Sequence, residues 1–440
     1  MIFEFKVNSS NCWKKWRLWL ALALAGACLS GCGVHVQPLM PTPLLYTESG
    51  YKPLEHLPEN ERWKERRVYY VTNRARKGSL QKIAYGNKLS PAVFVGTALI
   101  GFGGMDVTWA HLNEISAQSK REEALDLSIA GIAQFGYIPA HASPEEAADP
   151  EAAGFWLQDL RESIASSRDK DLLIYVHGAK VNFYNACAFA GQLDHFLGRD
   201  MTSLAFAWPT HQNIFSYVMG SDVHRAYESA EVLASLVELL AAETNSGRIH
   251  ILSWSAGARV ATRAIELLRE RYPGESAESL RKRFRLGTVY FAAGDIPDRE
   301  FVAAAPVLDS LVERMIITQT DNDKALSSGS RFMSGGMRIG QKGNDLNPEE
   351  LEVLFSLKRL EVVDVSVGTE DRGFDIIGHR YWFDHPWAST DVLLSIGTDL
   401  EPPERGLLPG DKPMLWYLPN DYPERLRHLP PPTEFRRWSR

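Results

Sequence analysis

A serine flanked by small residues stands where an apolar run meets a helix-forming segment. The run Ile249–Trp254 is followed by Ser255 and Gly257, in the pattern small-x-Ser-x-Gly. This pattern is typical of a sharp strand-to-helix turn that exposes a nucleophilic serine. Gly257 satisfies the need for a small residue fully, whereas Ser253 satisfies it less well. The alternative interpretation is that Ser255 caps the following helix through its hydroxyl.

Histidines that could activate this serine follow the last predicted strand. A serine needs a base to take its proton, and histidine titrates near neutrality. Three histidines lie beyond that strand: His379, His385 and His428. His428 stands in a proline-rich tail and His385 precedes a proline in an expected turn. His379, which follows a glycine, is therefore the best candidate base.

Three aspartates compete for the role of the acid that orients this histidine. Asp321 and Asp323 follow the penultimate strand, and Asp295 follows the strand before it. A carboxylate at either place could fix the imidazole tautomer and stabilise the imidazolium. An aspartate placed as Asp295 is more often a loop or helix cap. The residues alone leave the acid open among these three.

A histidine–glycine pair, His177-Gly178, ends an earlier apolar strand. A loop at that place can turn a backbone N–H toward the serine. We therefore expect the oxyanion donors to be the backbone N–H groups of Ala179 and Ala256. The His177 side chain itself is expected to brace the loop.

Apolar runs alternate with amphipathic segments between residues 151 and 400, which predicts an α/β domain. This alternation indicates a mostly parallel sheet with helices on both faces. The candidate nucleophile, acid and base follow strands in the chain order Ser, Asp, His, which is that of the α/β-hydrolase fold. The predicted strands are Leu172–Val176, Ser203–Trp208, Ile249–Trp254, Gly287–Ala292, Arg314–Thr318 and Leu360–Val365, and the predicted helices include 182–197, 222–243 and 257–271.

Segments spread over residues 66–395 resemble bacterial α/β-hydrolases catalogued as a domain of unknown function. In chain order they are Thr72-Asn73-Arg74-Ala75, His177-Gly178 with Asn182, Ala207-Trp208-Pro209, the elbow at Ser255, Ala293-Gly294-Asp295, Asp323-Lys324-Ala325-Leu326 and Gly378-His379-Arg380-Tyr381. The resemblance implies a serine esterase or lipase-like hydrolase with Asp323 as the acid.

The chain departs from this family at two places near the candidate oxyanion hole. The family's Ala-His-Ser-Met-Gly-Asn elbow is here Ser253-Trp254-Ser255-Ala256-Gly257-Ala258. The family's His-Gly-Tyr-Asn loop is here His177-Gly178-Ala179-Lys180-Val181-Asn182. Both changes leave the three candidate catalytic residues in place. They alter the expected oxyanion hole and the surface that is expected to face the substrate.

Residues 1–31 are typical of a lipoprotein signal peptide. A basic stretch at Lys14 to Arg17 precedes a short apolar run, and Leu29-Ser30-Gly31-Cys32 resembles the lipobox of bacterial lipoproteins. The resemblance implies cleavage before Cys32 and a lipid anchor on it in the bacterial cell envelope. Gly33 stands where an aspartate would retain a lipoprotein at the inner membrane, which favours the outer membrane, facing the periplasm. The alternative is a plain secretory signal with an accidental cysteine.

The remaining segments receive coarser predictions. Prolines in residues 32–62 predict a tether, and residues 63–150 predict a β-rich N-terminal extension in which 116–150 are helix and loop. Residues 401–440 form a proline-rich tail that is expected to wrap the surface in extended form, anchored by Trp416, Tyr417 and Trp438.

Two loops are expected to flank a pocket beside Ser255. Residues 208–222 and 328–347 follow strands at the sheet edge where ligands bind in open α/β sheets. Phe215 and Tyr217 could line an acyl site there, or they could simply pack. The glycine-rich stretch Gly335–Lys342 is expected to be a flexible loop near the mouth of the site.

Composition narrows the function classes. The chain has 440 residues, of which 45% are hydrophobic and 23% charged, so it is too apolar for wholesale disorder. The net charge is −7 and no basic block alternates with aromatics, which argues against a nucleic-acid partner. No residue cluster has metal-ligand spacing, and serine-triad hydrolysis needs neither metal nor cofactor.

We therefore expect a membrane-anchored serine hydrolase that cleaves a small-molecule carboxylic ester. The alternative hypothesis is a non-catalytic envelope lipoprotein that uses the hydrolase scaffold for binding.

Overall fold

The six strands predicted from apolar runs are present in the computed structural model, and they lie side by side in one sheet. The structure describes residues 37–79, 82–122, 124–139, 150–211, 220–323, 326, 336–343, 345–366 and 379–429. These residues belong to a compact unit that spans Gln37–Arg440. The predicted signal peptide and Cys32 lie outside the described residues.

Strands and helices are numbered separately along the described chain. The strands are β1 (Gln37–Pro38), β2 (Glu65–Lys77), β3 (Ala84–Phe102), β4 (Asp126–Pro139), β5 (Leu172–Val176), β6 (Thr202–Phe206), β7 (Ile249–Trp254), β8 (Leu286–Ala292), β9 (Val312–Gln319), β10 (Leu360–Asp364), β11 (Leu408–Pro409) and β12 (Leu415–Tyr417). The helices are α1 (Leu44–Glu48), α2 (Trp109–Ile115), α3 (Pro150–Ser166), α4 (Phe183–Phe196), α5 (Ser221–Glu243), α6 (Gly257–Arg271), α7 (Ala277–Phe284), α8 (Asp298–Leu311), α9 (Pro348–Ser356), α10 (Tyr381–Asp384), α11 (Pro386–Gly397) and α12 (Tyr422–Leu426).

The centre of the sheet is parallel. Across the described chain the strand order is β1-β4-β3-β2-β6-β5-β7-β8-β9-β10-β12-β11, and β6 to β10 pair in parallel with their neighbours. Every residue of β5 and β7 is buried, because helices cover both faces of a parallel sheet. Parallel pairing brings the carboxyl ends of β5, β7, β9 and β10 to one edge, where the candidate site residues follow.

Alternate residues of a central strand enter different cores. Leu173 and Tyr175 of β5 pack in the core that contains residues of α4 and α11. Leu172, Ile174 and Val176 pack in the core that contains residues of α5, α6 and α8. This alternation follows from the two-residue period of a strand, and it confirms the predicted α/β architecture with helices on both faces.

The N-terminal strands extend the same sheet. β2 pairs parallel with β6 and antiparallel with β3, and β3 pairs antiparallel with β4. The expectation of helix and loop over residues 116–150 is wrong where β4 lies. In β4 the apolar alternation of Leu127 and Ile129 is diluted by alanines and glycines, so the two-residue period is weak in the sequence.

The predicted tether differs from the structure over its described part, residues 37–62. Leu39, Met40 and Tyr46 are each at most 5% exposed and belong to the core that contains α4. The Met40 N–H donates to Gln192 Oε1 at 3.0 Å. The prolines interrupt regular structure in this segment. The apolar side chains between them are stabilised by burial, so the segment packs on the domain and is not a solvated tether.

The expectation that the whole tail is extended is wrong at α12, which is helical. β12 adds to the edge of the sheet in parallel with β10, so Trp416 and Tyr417 anchor it as strand residues. Tyr422 of α12 is fully buried. Trp438 lies outside the described residues.

Candidate active site

Ser255 lies on a strained turn between β7 and α6. Its φ is 54°, in the left-handed region, where a β-carbon costs about 1–2 kcal/mol. The turn is held by two backbone hydrogen bonds of 3.0 Å, from the Ser255 N–H to Ala292 O and from the Asp295 N–H to Ser255 O. A strand and a helix joined in this way project the serine hydroxyl out of the turn.

Two glycines let neighbouring backbone approach the turn. A β-carbon on Gly257 would lie 2.5 Å from Val176 O and 2.8 Å from His177 O, and one on Gly178 would lie 2.9 Å from Ser255 Cβ. Backbone atoms cannot move aside as a flexible side chain can. The requirement for a small residue after the serine therefore comes from its contact with the end of β5.

The imidazole of His379 bridges Ser255 and Asp323. Its Nε2 is 2.7 Å from Ser255 Oγ, and its Nδ1 is 2.7 Å from Asp323 Oδ2. The Asp323 side chain is fully buried, whereas 17% of the His379 side chain is exposed. Because an ionised carboxylate only accepts hydrogen bonds, Nδ1 carries the hydrogen and Nε2 can accept from the serine hydroxyl. This is the tautomer that a general base for the serine needs.

Two side chains hold the segment that carries His379. Trp254 Nε1 donates to His379 O at 3.3 Å, and the two rings lie 5.8 Å apart. The Tyr381 hydroxyl donates to Thr318 O at 3.2 Å, at the end of β9. Burial, and then the charge of Asp323, raise the pKa of the Tyr381 phenol well above its ordinary value. Tyr381 is therefore neutral, and it ties the segment that carries His379 to the strand that precedes Asp323.

The three candidate acids have different surroundings. Asp323 contacts the His379 imidazole. The Asp321 side chain is 57% exposed and lies 3.9 Å from Lys342. Asp295 Oδ1 accepts from Arg338 Nε at 2.8 Å, and that arginine side chain is fully buried. The geometry therefore favours Asp323, which is also the residue that the family resemblance implied.

Residues 152–394 match the model of a family described as "Alpha/beta hydrolase of unknown function (DUF900)". The chain belongs to this family. Among solved structures it is similar to a lipase-esterase related protein from Clostridium acetobutylicum, with 10% identity and a TM-score of 0.20, over 43% of this chain and 90% of that chain. No curated protein matches the chain. The family match confirms the hydrolase family and the α/β-hydrolase fold predicted from the motifs.

The expected oxyanion donors of this hydrolase domain belong to the residue after Ser255 and to the loop after β5 that approaches it. Ala256 is fully buried and directly precedes α6, so its N–H belongs to the positive end of that helix. Ala179 lies in the loop after β5, next to Gly178, which approaches Ser255. Within the described residues, neither N–H donates to another backbone group.

The sequence predicts no role for Arg338, which lies in the segment expected to be a flexible loop near the mouth of the site. Gly335 lies outside the described residues. Residues 336–342 are hydrogen-bonded to the loop after β8: the Ile339 N–H donates to Ile296 O and the Gly340 N–H to Gly294 O, both at 3.1 Å. A β-carbon on Gly340 would lie 2.8 Å from Gly294 N. The glycines allow close backbone packing, and Arg338 secures it through Asp295.

Arg74, for which the sequence also predicts no role, is 1% exposed and contacts His177. Arg74 lies in the polar half of the strand Glu65–Lys77, after the apolar run Val68–Val71, so the sequence pattern does not mark it as buried. Arginine is almost never buried without a partner. Through His177, Arg74 is connected to the loop that carries Ala179.

Parts of the predicted pocket loops lie outside the described residues, including Phe215 and Tyr217. In the described part of the chain, no group of His, Cys, Asp or Glu side chains could hold a metal ion. No helix among the same residues has the length and apolar character needed to cross a bilayer.

Proposed function

We propose that this member of the hydrolase family is a serine hydrolase that cleaves a carboxylic ester through an acyl-enzyme. Ser255 is the nucleophile, His379 the general base and Asp323 the acid. The observation that carries the proposal is the continuous contact from Asp323 through His379 to Ser255, with 2.7 Å at each step.

In the first half-reaction His379 Nε2 takes the proton of Ser255 Oγ as the oxygen attacks the ester carbonyl. The tetrahedral intermediate then collapses, the carbonyl–alkoxide bond breaks, and His379 gives its proton to the leaving alkoxide. In the second half-reaction a water loses a proton to His379 and attacks the acyl-enzyme. The carboxylic acid product leaves, and His379 returns the proton to Ser255 Oγ. Asp323 stabilises the imidazolium at each stage.

The oxyanion is held by the N–H groups of Ala256 and Ala179 in this proposal. Ala256 follows the strained serine, and Ala179 follows Gly178, which approaches it. These positions support the role, as does the absence of a backbone acceptor for either N–H within the described chain. Donors fixed before reaction stabilise developing charge without reorganisation.

The test is turnover of p-nitrophenyl acetate and butyrate by soluble protein that begins at Gly33. We expect Ser255→Ala and His379→Ala each to remove about as much activity as the double variant, because the residues act as a unit. Ser253→Ala is the matched control: Ser253 lies on β7, two residues before Ser255, and donates to Tyr290 O at 3.1 Å. It should retain turnover. Retained turnover in Ser255→Ala would remove Ser255 as the nucleophile.

A fluorophosphonate probe separates the enzyme from the alternative of a binding scaffold. The probe should label Ser255 in the wild-type chain and fail to label Ser255→Ala. No turnover of either ester, together with no labelling, would favour a non-catalytic envelope protein.

We further propose that Cys32 becomes the lipidated first residue and anchors the hydrolase at the outer membrane, facing the periplasm. The support is the sequence pattern that ends at Cys32. Several acyl chains would hold the protein firmly, since each buried CH₂ contributes about 0.8 kcal/mol. Mass spectrometry of the membrane fraction should find a lipidated N-terminal Cys32, and Cys32→Ala should leave that fraction. A wild-type chain that keeps residues 1–31 would contradict the proposal.

A further inference from the structure

The N–H of Ala179 and the C=O of Gly178 belong to one peptide unit. In a trans peptide these two groups point in opposite directions within one plane, and the described residues contain no cis peptide. Whatever holds the Gly178 carbonyl therefore also sets the direction of the Ala179 N–H. His177 holds it, because its Nδ1 lies 2.7 Å from Gly178 O.

Arg74 selects the tautomer of His177. One guanidinium nitrogen of Arg74 lies 3.2 Å from His177 Nε2, and arginine has only donors. Nε2 therefore accepts, and the ring hydrogen is on Nδ1, the atom that faces the Gly178 carbonyl. The same guanidinium nitrogen donates to Val181 O at 2.7 Å. One buried side chain thus holds both ends of the loop that carries Ala179.

Burial fixes the charge and orientation of these groups. It lowers the pKa of Arg74 to about 9, which leaves the guanidinium protonated at neutral pH. Burial and then the charge of Arg74 hold the pKa of His177 well below its ordinary value, against the opposing backbone groups of Gly178 and Trp208. The imidazole is therefore neutral. Trp208 stacks on it at 5.4 Å and 8°, and donates from Nε1 to His177 O at 2.7 Å.

We propose that Arg74 and His177 are positioning residues for the reaction at Ser255: Arg74 sets the His177 tautomer, and His177 turns the Gly178–Ala179 peptide so that the Ala179 N–H faces the oxyanion. The inference rests on the proposed function and deepens it. Neither side chain touches the substrate in this arrangement. Both act through one peptide, so their loss weakens binding of the oxyanion and leaves binding of the substrate unchanged.

Two variants of His177 separate this role from simple packing. His177→Asn carries its amide nitrogen near the place of Nδ1, so it can still donate to the Gly178 carbonyl. His177→Gln carries its polar atoms near the place of Nε2, so it can meet Arg74 but cannot hold that carbonyl. Each variant keeps one of the two contacts. Removing one oxyanion donor costs about 10²–10³ in kcat. In His177→Gln the Ala179 N–H is misdirected and not removed, so we expect kcat to fall about 10- to 100-fold, with KM within about twofold.

We expect His177→Asn to stay within about fivefold of the wild-type kcat, since its donor is preserved. The matched control is His250→Asn. His250 is equally buried, at the opposite end of β7, and accepts at Nδ1 from the Thr288 N–H at 2.9 Å. The His250→Asn variant should have a lower free energy of unfolding and an unchanged kcat. Equal kcat values for the two His177 variants, or an equal loss of kcat in His250→Asn, would overturn the proposal.

We call the contacts from Arg74 through His177 to the Gly178–Ala179 peptide the relay. A spectroscopic measurement tests the relay independently of activity and of how the variants fold. In ¹⁵N-histidine NMR of the wild-type chain, His177 should be neutral and carry its hydrogen on Nδ1; a hydrogen on Nε2 would overturn the relay. Wild-type protein with neither turnover nor phosphonate labelling would refute the proposed function and, with it, this inference. Wild-type turnover with an unimpaired His177→Gln would refute the relay alone.

Discussion

Replacing Asp295 by asparagine distinguishes a structural ion pair from a catalytic acid. Asp295 Oδ1 lies 2.8 Å from Arg338 Nε, and the two side chains are 6% and 0% exposed. Asparagine has almost the shape of aspartate but no charge. The substitution therefore leaves the Arg338 guanidinium facing a neutral amide in a site that excludes water, directly beside the turn that carries Ser255.

The stability loss can be estimated from the burial of the pair. Removing one partner of a buried ion pair costs about 3–5 kcal/mol. Asparagine keeps an oxygen that can accept from Arg338 Nε, so we expect the lower end, about 3 kcal/mol. The unfolding entropy is near 2.1 cal/mol/K per residue, which is about 0.8 kcal/mol/K for a unit of roughly 400 residues. A loss of about 3 kcal/mol in the free energy of unfolding therefore lowers Tm by about 3–4 °C.

The assay measures Tm and ester turnover for Asp295→Asn and Asp323→Asn. We expect Asp295→Asn to lower Tm while turnover stays within about tenfold of wild type, whereas Asp323→Asn should lower kcat by up to about 10⁴-fold through loss of the correct His379 tautomer. The double variant Asp295→Asn/Arg338→Met is the control. It removes the remaining buried charge, so it should recover part of the lost stability.

Two results would refute this reasoning. Loss of turnover in Asp295→Asn, with an active Asp323→Asn, would move the acid to the loop after β8. An unchanged Tm in Asp295→Asn would show that the buried pair with Arg338 does not stabilise the fold.

The backbone and the buried histidines support three further predictions. Gly257→Ala should destabilise by more than about 1 kcal/mol, because its β-carbon meets backbone oxygens, whereas Gly154→Ala, with open space in α3, should stabilise by about 0.5–1 kcal/mol in urea unfolding. Ser255→Gly should be more stable than Ser255→Ala by about 1 kcal/mol, because φ at this turn is positive; an equal midpoint would contradict the strain. Burial holds the pKa values of His177 and His195 well below the ordinary value, so the unfolded chain binds the extra protons. Stability should therefore fall below about pH 6.5, by about 1.4 kcal/mol per pH unit for each histidine, and a flat urea midpoint from pH 7 to 5 would contradict this.

The central strands and the position of Ser255, the proposed nucleophile, could be predicted from the sequence. Strands such as Ile249–Trp254 are buried on both faces, so most positions are apolar or small and the run is visible without its neighbours. Ser255 was predictable because the sharp turn imposes a local rule, a glycine two positions later. His379 followed from chain order, since parallel strands bring successive carboxyl ends to one edge of the sheet.

The choice among the three aspartates and the packing of residues 37–62 could not be predicted from local sequence patterns. Asp321, Asp323 and Asp295 all follow strands at the same sheet edge, and only the packed chain distinguishes a carboxylate on His379 from one on Arg338 and one near solvent. The same holds for residues 37–62, whose apolar side chains among prolines pack against a helix about 150 positions away. These contacts join residues far apart in the chain. Their energy depends on which groups exclude water together, and no periodicity of three to four residues carries that information.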